Sequence, residues 1–181
     1  MKRIITASAI ALSSIIMSCN SNNEKQSESM NHNHEEAADS KTPATNSVQF
    51  KDENVNAVYQ HYVHLTNALI KEDAAEARVA ANAIETGAKS IPGAASFATT
   101  AAKISGSGDI AVQREAYSDL SNQMIELAKK SGLSTGEVYV DFCPMARNDQ
   151  GAYWLSTKKE ILNPYYGDKM LNCGEIRETV K

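Results

Sequence analysis

The stretch NVNAVYQHYVHLTNALIKED, residues 54–73, decides the fold class of this chain. Its apolar side chains recur three or four residues apart, which is the period of an amphipathic α-helix. One face of that helix carries Val58, Tyr59, Tyr62, Leu65, Thr66 and Leu69. The stretch therefore predicts the first helix of a helical domain.

The helical period continues through DAAEARVAANAIETGAKSI, residues 73–91, with smaller side chains. The residues in register are Ala77, Ala81, Ile84 and Ala88. Small side chains on this face would let a neighbouring helix approach closely. Pro92 and Gly93 then end the segment.

Two further helices are predicted, a short one over Ala94–Ile104 and a longer one over Ile110–Lys130. Asp109 is placed to cap the longer helix at its start, and Gly132 is placed to end it. Its apolar side chains at helical spacing are Tyr117, Leu120, Met124 and Leu127. We expect a mainly α fold, a three- or four-helix antiparallel bundle.

The period changes after Gly136. EVYVDFC, residues 137–143, alternates in the manner of a strand, and AYWLS, residues 152–156, predicts a second strand after the turn-rich ARNDQG. These strands predict a small C-terminal β-hairpin appendage that packs on the bundle, because an isolated hairpin is only marginally stable. The rest, up to Gly174, predicts a short helix, an Asn-Pro turn and a compact closing loop.

The N-terminus has the features of a secretory signal. MKRIITASAIALSSIIMSC, residues 1–19, joins a basic start to an apolar run that is too short to span a bilayer. Its end resembles a bacterial lipobox, which makes Cys19 the lipidation site. We expect a lipoprotein signal peptide at 1–18, a lipidated disordered tether at 19–47 and the folded domain at 48–181. In many lipoproteins an aspartate directly after the lipidated cysteine causes retention at the inner membrane. This chain has Asn20 at that position, so we favour an anchor in the outer membrane of the cell envelope.

The predicted tether contains MNHNHEE, residues 30–36. Its two histidines, His32 and His34, would either collect metal ions loosely or belong to a solvated linker. Loss of the signal leaves 16 basic against 22 acidic residues, a net charge of about −6. That balance argues against nucleic acid as a partner, which requires clustered basic side chains.

Four sulfur-containing residues stand close together in the C-terminal third: Cys143, Met145, Met170 and Cys173. Pro144 rigidifies the first pair, and the second pair has the spacing of one helical face. Two thiolates and two thioethers form a soft donor set, which selects Cu(I) over hard ions.

Two other interpretations of these sulfurs remain open. In an oxidising compartment Cys143 and Cys173 would form a disulfide that contributes roughly 3.5 kcal/mol by closing a loop of about thirty residues. Buried methionines also fill gaps in cores without any ligand role. The sequence has no CxxC pair, phosphate-binding glycine loop or GxSxG motif, so we expect no enzyme.

Three stretches resemble a known family: VYVDFCPMARNDQGAYWLS (138–156), ILNPYYGDKMLNCG (161–174) and QREAYSDLS (113–121). The family is the domain of unknown function numbered three-three-four-seven, which occurs in bacterial lipoproteins and at the ends of copper/silver efflux adaptor proteins. The resemblance extends over approximately Asn54 to Gly174. Ala146 follows Cys-Pro-Met, where a different heavy-metal motif has histidine, so that other motif is absent.

The resemblance implies a role in metal handling, with copper as the ion and a heavy-metal efflux adaptor as a partner. It implies Cys143, Met145, Met170 and Cys173 as the metal ligands. Two hypotheses follow for the chain. The first is a membrane-tethered protein that binds Cu(I) for sequestration or transfer, and the second is a non-enzymatic protein-interaction domain stapled by a Cys143–Cys173 disulfide.

Overall fold

The computed structural model describes residues 47–181. The predicted signal peptide at 1–18, the lipidation site Cys19 and the histidines of the predicted tether lie outside the described residues. Within residues 47–181, no helix combines the length and the apolar composition that crossing a membrane requires.

Four helices follow one another along the chain: α1 (Glu53–Ile70), α2 (Ala74–Ala88), α3 (Ala95–Ser105) and α4 (Ile110–Ser131). Each helix packs against the next, and α1 also contacts α4. Small antiparallel sheets complete the fold. The prediction of a mainly helical fold is therefore confirmed.

Aspartates begin three of these helices. The side chains of Asp52, Asp73 and Asp109 each accept a hydrogen bond from a backbone N–H in the first turn of α1, α2 and α4. These bonds satisfy donors that have no partner within the helix. Gly132 follows the last residue of α4 with φ 69°, a backbone conformation that favours glycine.

The small side chains of α2 bring it close to α1. All six residues predicted for the buried face of α1 are buried, and so are the four predicted on α2. A Cβ added to Gly87 would lie 2.8 Å from Cγ2 of Val58, so the two helices meet where one lacks a side chain. The expectation of a close helix contact at α2 is confirmed.

Two antiparallel sheets accompany the helices. In the smaller one β1 (Gln49–Phe50) pairs with β2 (Leu133–Thr135), which joins the start of the domain to the end of α4. In the larger one β3 (Val138–Cys143) is central, between β4 (Ala152–Ser156) and β5 (Glu175–Val180). Val138 and Cys143 are both inaccessible to solvent, which indicates that both faces of β3 are covered.

The closing segment differs from its prediction. No helix forms over residues 157–163, so the predicted short helix is wrong, and a single 3-10 turn occurs later at Gly167–Lys169. The Asn163 N–H donates to the carbonyl of Leu171 at 2.7 Å. The segment therefore forms its main-chain hydrogen bond with a stretch further along the chain, and not within a helical turn of its own. The strand β5 was not predicted either.

A column of aromatic rings joins the helices to the larger sheet. Tyr59, Tyr62, Tyr117, Tyr165 and Trp154 follow one another with centroid separations of 6.1, 5.6, 5.5 and 6.0 Å. All five side chains are buried. Aromatic pairs at these separations add favourable contacts to those of area burial.

The hydroxyl of Tyr62 lies at the centre of this column. It is 2.8 Å from Oγ of Ser121 and 2.9 Å from the Tyr117 hydroxyl. It also accepts the backbone N–H of Leu155 on β4 at 3.0 Å. One main-chain donor of β4 is therefore satisfied by a side chain of α1, which joins the sheet to the helices.

Candidate metal centre

The fold brings the two cysteines of the domain into contact. Cys143 ends β3, Cys173 lies two residues before β5, and their Sγ atoms are 2.6 Å apart. Both are free cysteines in this structure. Cys143 is fully buried, whereas Cys173 is partly exposed. Pairing of β3 with β5 produces this contact between residues thirty positions apart.

Asn163 fixes the Cys173 segment. Its side chain is fully buried, and its Nδ2 donates to the main-chain carbonyl of Cys173 at 2.8 Å. Its Oδ1 accepts the N–H of Tyr165, also at 2.8 Å. The Asn-Pro-Tyr-Tyr-Gly segment therefore positions one of the two thiols.

Arg114 of α4 attaches this segment to the helices. Its Nε donates to the carbonyl of Pro164 at 2.8 Å, and its guanidinium lies 3.2 Å from Oε1 of Glu72. Gly167 packs directly against this pair with φ 56°. A Cβ there would lie 2.8 Å from Glu72 Cγ and 2.9 Å from the Arg114 guanidinium, so the position favours glycine.

The two methionines are joined to the cysteine pair through their main chains. Met145 follows Cys143 by two residues, and its carbonyl accepts the hydroxyl of Tyr166. The carbonyl of Met170 accepts the N–H of Cys173 at 3.0 Å. All four predicted ligand residues therefore belong to one connected region of the structure.

A left-handed turn follows Met145. Arg147, Asn148 and Asp149 have φ angles of 56°, 54° and 64°. Asn and Asp adopt this conformation more readily than other residues, whereas for Arg147 it costs roughly 1–2 kcal/mol. The Arg147 side chain pairs with Glu115 of α4, with Nε 3.0 Å from the carboxylate. Such a turn persists only where surrounding contacts hold it.

Burial is the main influence on the Cys173 thiol. It raises the pKa of Cys173 to about 11, and both the hydrogen bond from Cys143 and the nearby charge of that residue add to the rise. The hydrogen bond from the Met145 backbone opposes it. The thiol is therefore protonated at neutral pH, and a metal ion would have to displace that proton.

Sequence reasoning missed Asp141 as a residue of this region. It precedes Cys143 by two positions on β3, pairs with Trp154 across the sheet and is fully buried. Neither carboxylate oxygen has a hydrogen-bond partner among the described residues, and burial raises the pKa of Asp141 to about 7. An acidic residue inside an otherwise apolar strand was the available signal.

The donor chemistry fits a soft ion. No group of three or more His, Cys, Asp or Glu residues gathers anywhere in the part of the chain from Ser47 to Lys181. Structural zinc sites usually take four Cys or His ligands, whereas sulfur donors such as this pair of thiols suit Cu(I). On α1, His64 lies 2.7 Å from Glu76 at the surface.

The fold and the candidate site define a mainly α domain that carries a pair of thiols beside a small antiparallel sheet. The sequence model of the family described as "Protein of unknown function (DUF3347)" matches residues 58–136, which confirms the resemblance over that part of the chain. The match runs from α1 to β2 and ends before β3, so the four sulfur residues lie beyond it. Comparison with curated proteins and with solved structures gave no match.

Proposed function

We propose that this chain is a lipoprotein of the cell envelope that binds Cu(I) as cargo, for sequestration or for transfer to a heavy-metal efflux adaptor. The contact between Cys143 and Cys173 carries the proposal, because it joins two soft donors at one point. The resemblance to a family found on copper/silver efflux adaptors also favours copper as the ion. In this proposal the domain is a carrier, not an enzyme.

The cysteines supply two thiolates, and Met145 and Met170 complete the ligand set. Both thiols lose their protons when the metal binds, so copper affinity increases with pH. The antiparallel helical bundle acts as a rigid support, and the β3–β4 hairpin with its closing segment holds the ligands. Support for this ligand set comes from the hydrogen bond between Cys173 and Met170 and from the position of Met145 two residues after Cys143.

The test is a Cu(I) titration of the reduced domain, residues 48–181, against a competing chelator. The double variant Met145→Leu/Met170→Leu should lose at least about tenfold in affinity, the lower end of what changes around a metal site cost. Its fold should be retained, because Leu for Met conserves volume. Met124→Leu, in the core of α4, is the matched control and should bind like the parent. Unchanged affinity in the double variant would contradict the proposed ligand set.

The alternative is a non-enzymatic interaction domain stapled by a Cys143–Cys173 disulfide. The proximity of the two sulfur atoms favours it. A free-thiol count on the protein as isolated distinguishes the two states directly. If the staple is the main role, Cys173→Ser lowers the melting temperature whether or not copper is present. Equal stability of the oxidised and reduced forms would exclude a stabilising staple.

The anchor is part of the proposal. Cleavage after residue 18 and lipidation of Cys19 would tether the domain to the outer membrane, with residues 19–47 as the linker. Growth with labelled palmitate should label the parent chain and leave Cys19→Ala unlabelled. Label in the Cys19→Ala variant would show that the chain is acylated elsewhere.

A further inference from the structure

The two thiols of the candidate site differ in their access to solvent. Cys143 is fully buried at the end of β3, whereas Cys173 is partly exposed in the segment before β5. Their sulfur atoms are nevertheless in contact, 2.6 Å apart. A reagent in solution can therefore reach one sulfur of the pair, and the other sulfur is already beside it.

Contacts other than a sulfur–sulfur bond hold the two thiols together. Asn163 donates to the main-chain carbonyl of Cys173 at 2.8 Å. The Tyr166 hydroxyl donates to the carbonyl of Met145, two residues after Cys143. The pairing of β3 with β5 is a third connection between the two segments. Both thiols are free in the structure that these contacts define, so a bond between them can form or break while the fold is kept.

We infer that Cys143 and Cys173 are a reversible dithiol/disulfide couple, in which a low-molecular-weight disulfide reacts first with Cys173 and Cys143 resolves the mixed disulfide. The exposure of one sulfur sets this order, because thiol–disulfide exchange depends on access to the attacking sulfur. The reaction involves no metal, so it goes beyond the proposed copper binding. It also differs from a permanent staple, because the bond is exchanged in the folded chain.

The exchange is balanced in atoms and electrons. The Cys173 thiolate attacks one sulfur of the external disulfide R–S–S–R, forms a Cys173–S–S–R bond and releases one thiolate, RS⁻. The Cys143 thiolate then attacks the Cys173 sulfur, forms the Cys143–Cys173 bond and releases the second RS⁻. The external disulfide is reduced to two thiols, which take up the two protons that the cysteines lose. Reduction of the chain follows the same steps in reverse and begins with attack on the accessible sulfur of Cys173.

The couple also regulates the proposed copper site, and this consequence alone rests on the proposed function. Two sulfur atoms that are bonded to each other are not thiolates and cannot bind Cu(I) as such. In the chelator competition the oxidised chain should bind Cu(I) at least about tenfold more weakly than the reduced chain, and reduction should restore the affinity. Equal affinities of the two forms would overturn this regulation. A reduced chain that binds no Cu(I) would overturn the proposed function and not the exchange.

The exchange is tested with the reduced chain from residue 20 onward, which lacks the thiol of Cys19, and with dithiobis(nitrobenzoate) as the external disulfide. The parent should release two coloured thiolates per chain and retain no nitrobenzoate group, because both of its thiols are free. Cys143→Ser should release one and keep the other group on Cys173, as the intact mass shows. Cys173→Ser should react at least about tenfold more slowly, because its remaining thiol is buried. Circular dichroism of each variant establishes that the fold is kept.

Two outcomes of this reaction would contradict the inference. A parent that retains a nitrobenzoate group on each cysteine would overturn the couple, because its two thiols would then react without joining. Equal rates for Cys143→Ser and Cys173→Ser would overturn the assignment of Cys173 as the sulfur that reacts first.

A second measurement needs no substitution. Brief alkylation of the folded, reduced parent by iodoacetamide is followed by digestion with trypsin, which places Cys143 in the peptide 131–147 and Cys173 in the peptide 170–177. Label should accumulate first in 170–177, and equal labelling of the two peptides would contradict the order of attack. Dithiothreitol should reduce the oxidised parent completely without denaturant and without a change in circular dichroism. Reduction that proceeds only in denaturant would show that the bond is a permanent staple.

Discussion

The side-chain amide of Asn163 donates a 2.8 Å hydrogen bond to the main-chain carbonyl of Cys173. Asn163 is fully buried, and its Oδ1 also accepts the N–H of Tyr165. One side chain thus satisfies two main-chain groups and sets the position of a thiol ten residues away. Second-layer contacts of this kind commonly orient metal ligands.

Asn163→Ala should destabilise the reduced domain by about 1–3 kcal/mol, because it leaves buried main-chain groups without partners. It should also weaken copper binding by about tenfold, since Cys173 is no longer held. Urea denaturation and the chelator titration measure the two effects. Asn172→Ala is the control, because Asn172 is exposed and donates only to the carbonyl of Ile161. Equal losses in both variants would show that Asn163 has no special role.

Asp141 should make the stability of the metal-free domain depend on pH. Its pKa is about 7 in the folded state and about 3.9 in an unfolded chain, so the folded state binds the proton more tightly. The stabilisation is complete below pH 4 and is lost as pH rises through 7.

The variant Asp141→Asn isolates this effect, because its amide cannot ionise. Relative to the parent, its free energy of unfolding should increase by about 2–4 kcal/mol between pH 4 and pH 8. Urea denaturation across this range measures the difference. Exposed Asp168→Asn should show no such trend. A constant difference between parent and Asp141→Asn would mean that the buried carboxyl does not titrate as described.

The raised pKa of Cys173 should govern its reactivity. Alkylation by iodoacetamide should still accelerate above pH 9, where an ordinary thiol with a pKa near 8.5 has levelled off. In Cys143→Ser the pKa of Cys173 should fall, because the hydrogen bond and the charge of Cys143 are lost, yet stay elevated because burial remains. A rate plateau below pH 9 in the reduced parent would contradict this account.

Gly167→Ala should cost about 2 kcal/mol of stability or more, because it places a Cβ at positive φ against Glu72 and Arg114. Gly108→Ala is the matched control, since a Cβ there meets nothing within 4 Å. That control should be neutral or stabilise by up to about 1 kcal/mol through the unfolded chain. Thermal unfolding of the two variants side by side gives the comparison, and similar melting temperatures would refute the packing argument.

The helices could be predicted from the sequence because their signals are local. The apolar face of α1 and the cap at Asp109 each require only a few neighbouring residues. β5 could not be predicted, because EIRETV is exposed along almost its whole length and is held by its pairing with β3. Its order comes from a distant strand, which a local pattern does not reveal.

The sequence proposes the composition of the candidate site, whereas the geometry comes only from the structure. The softness of four sulfur donors selected Cys143, Met145, Met170 and Cys173, but the contact between the two thiols depends on the β3–β5 pairing. Asp141 and the Tyr166 hydroxyl were missed as parts of the site for the same reason. Their importance follows from what surrounds them, and neither stands within a local motif.

The position of Trp154 gives the domain an internal optical probe. It is the only tryptophan of the chain, it is almost completely buried, and the edge of its ring lies 3.0 Å from where a Cβ of Gly174 would be. Gly174 adjoins Cys173, so the indole lies beside the segment that carries this thiol. If the proposed copper uptake or the alternative disulfide takes place, the fluorescence of Trp154 should follow it in the unlabelled protein, in real time and without substitution of any residue.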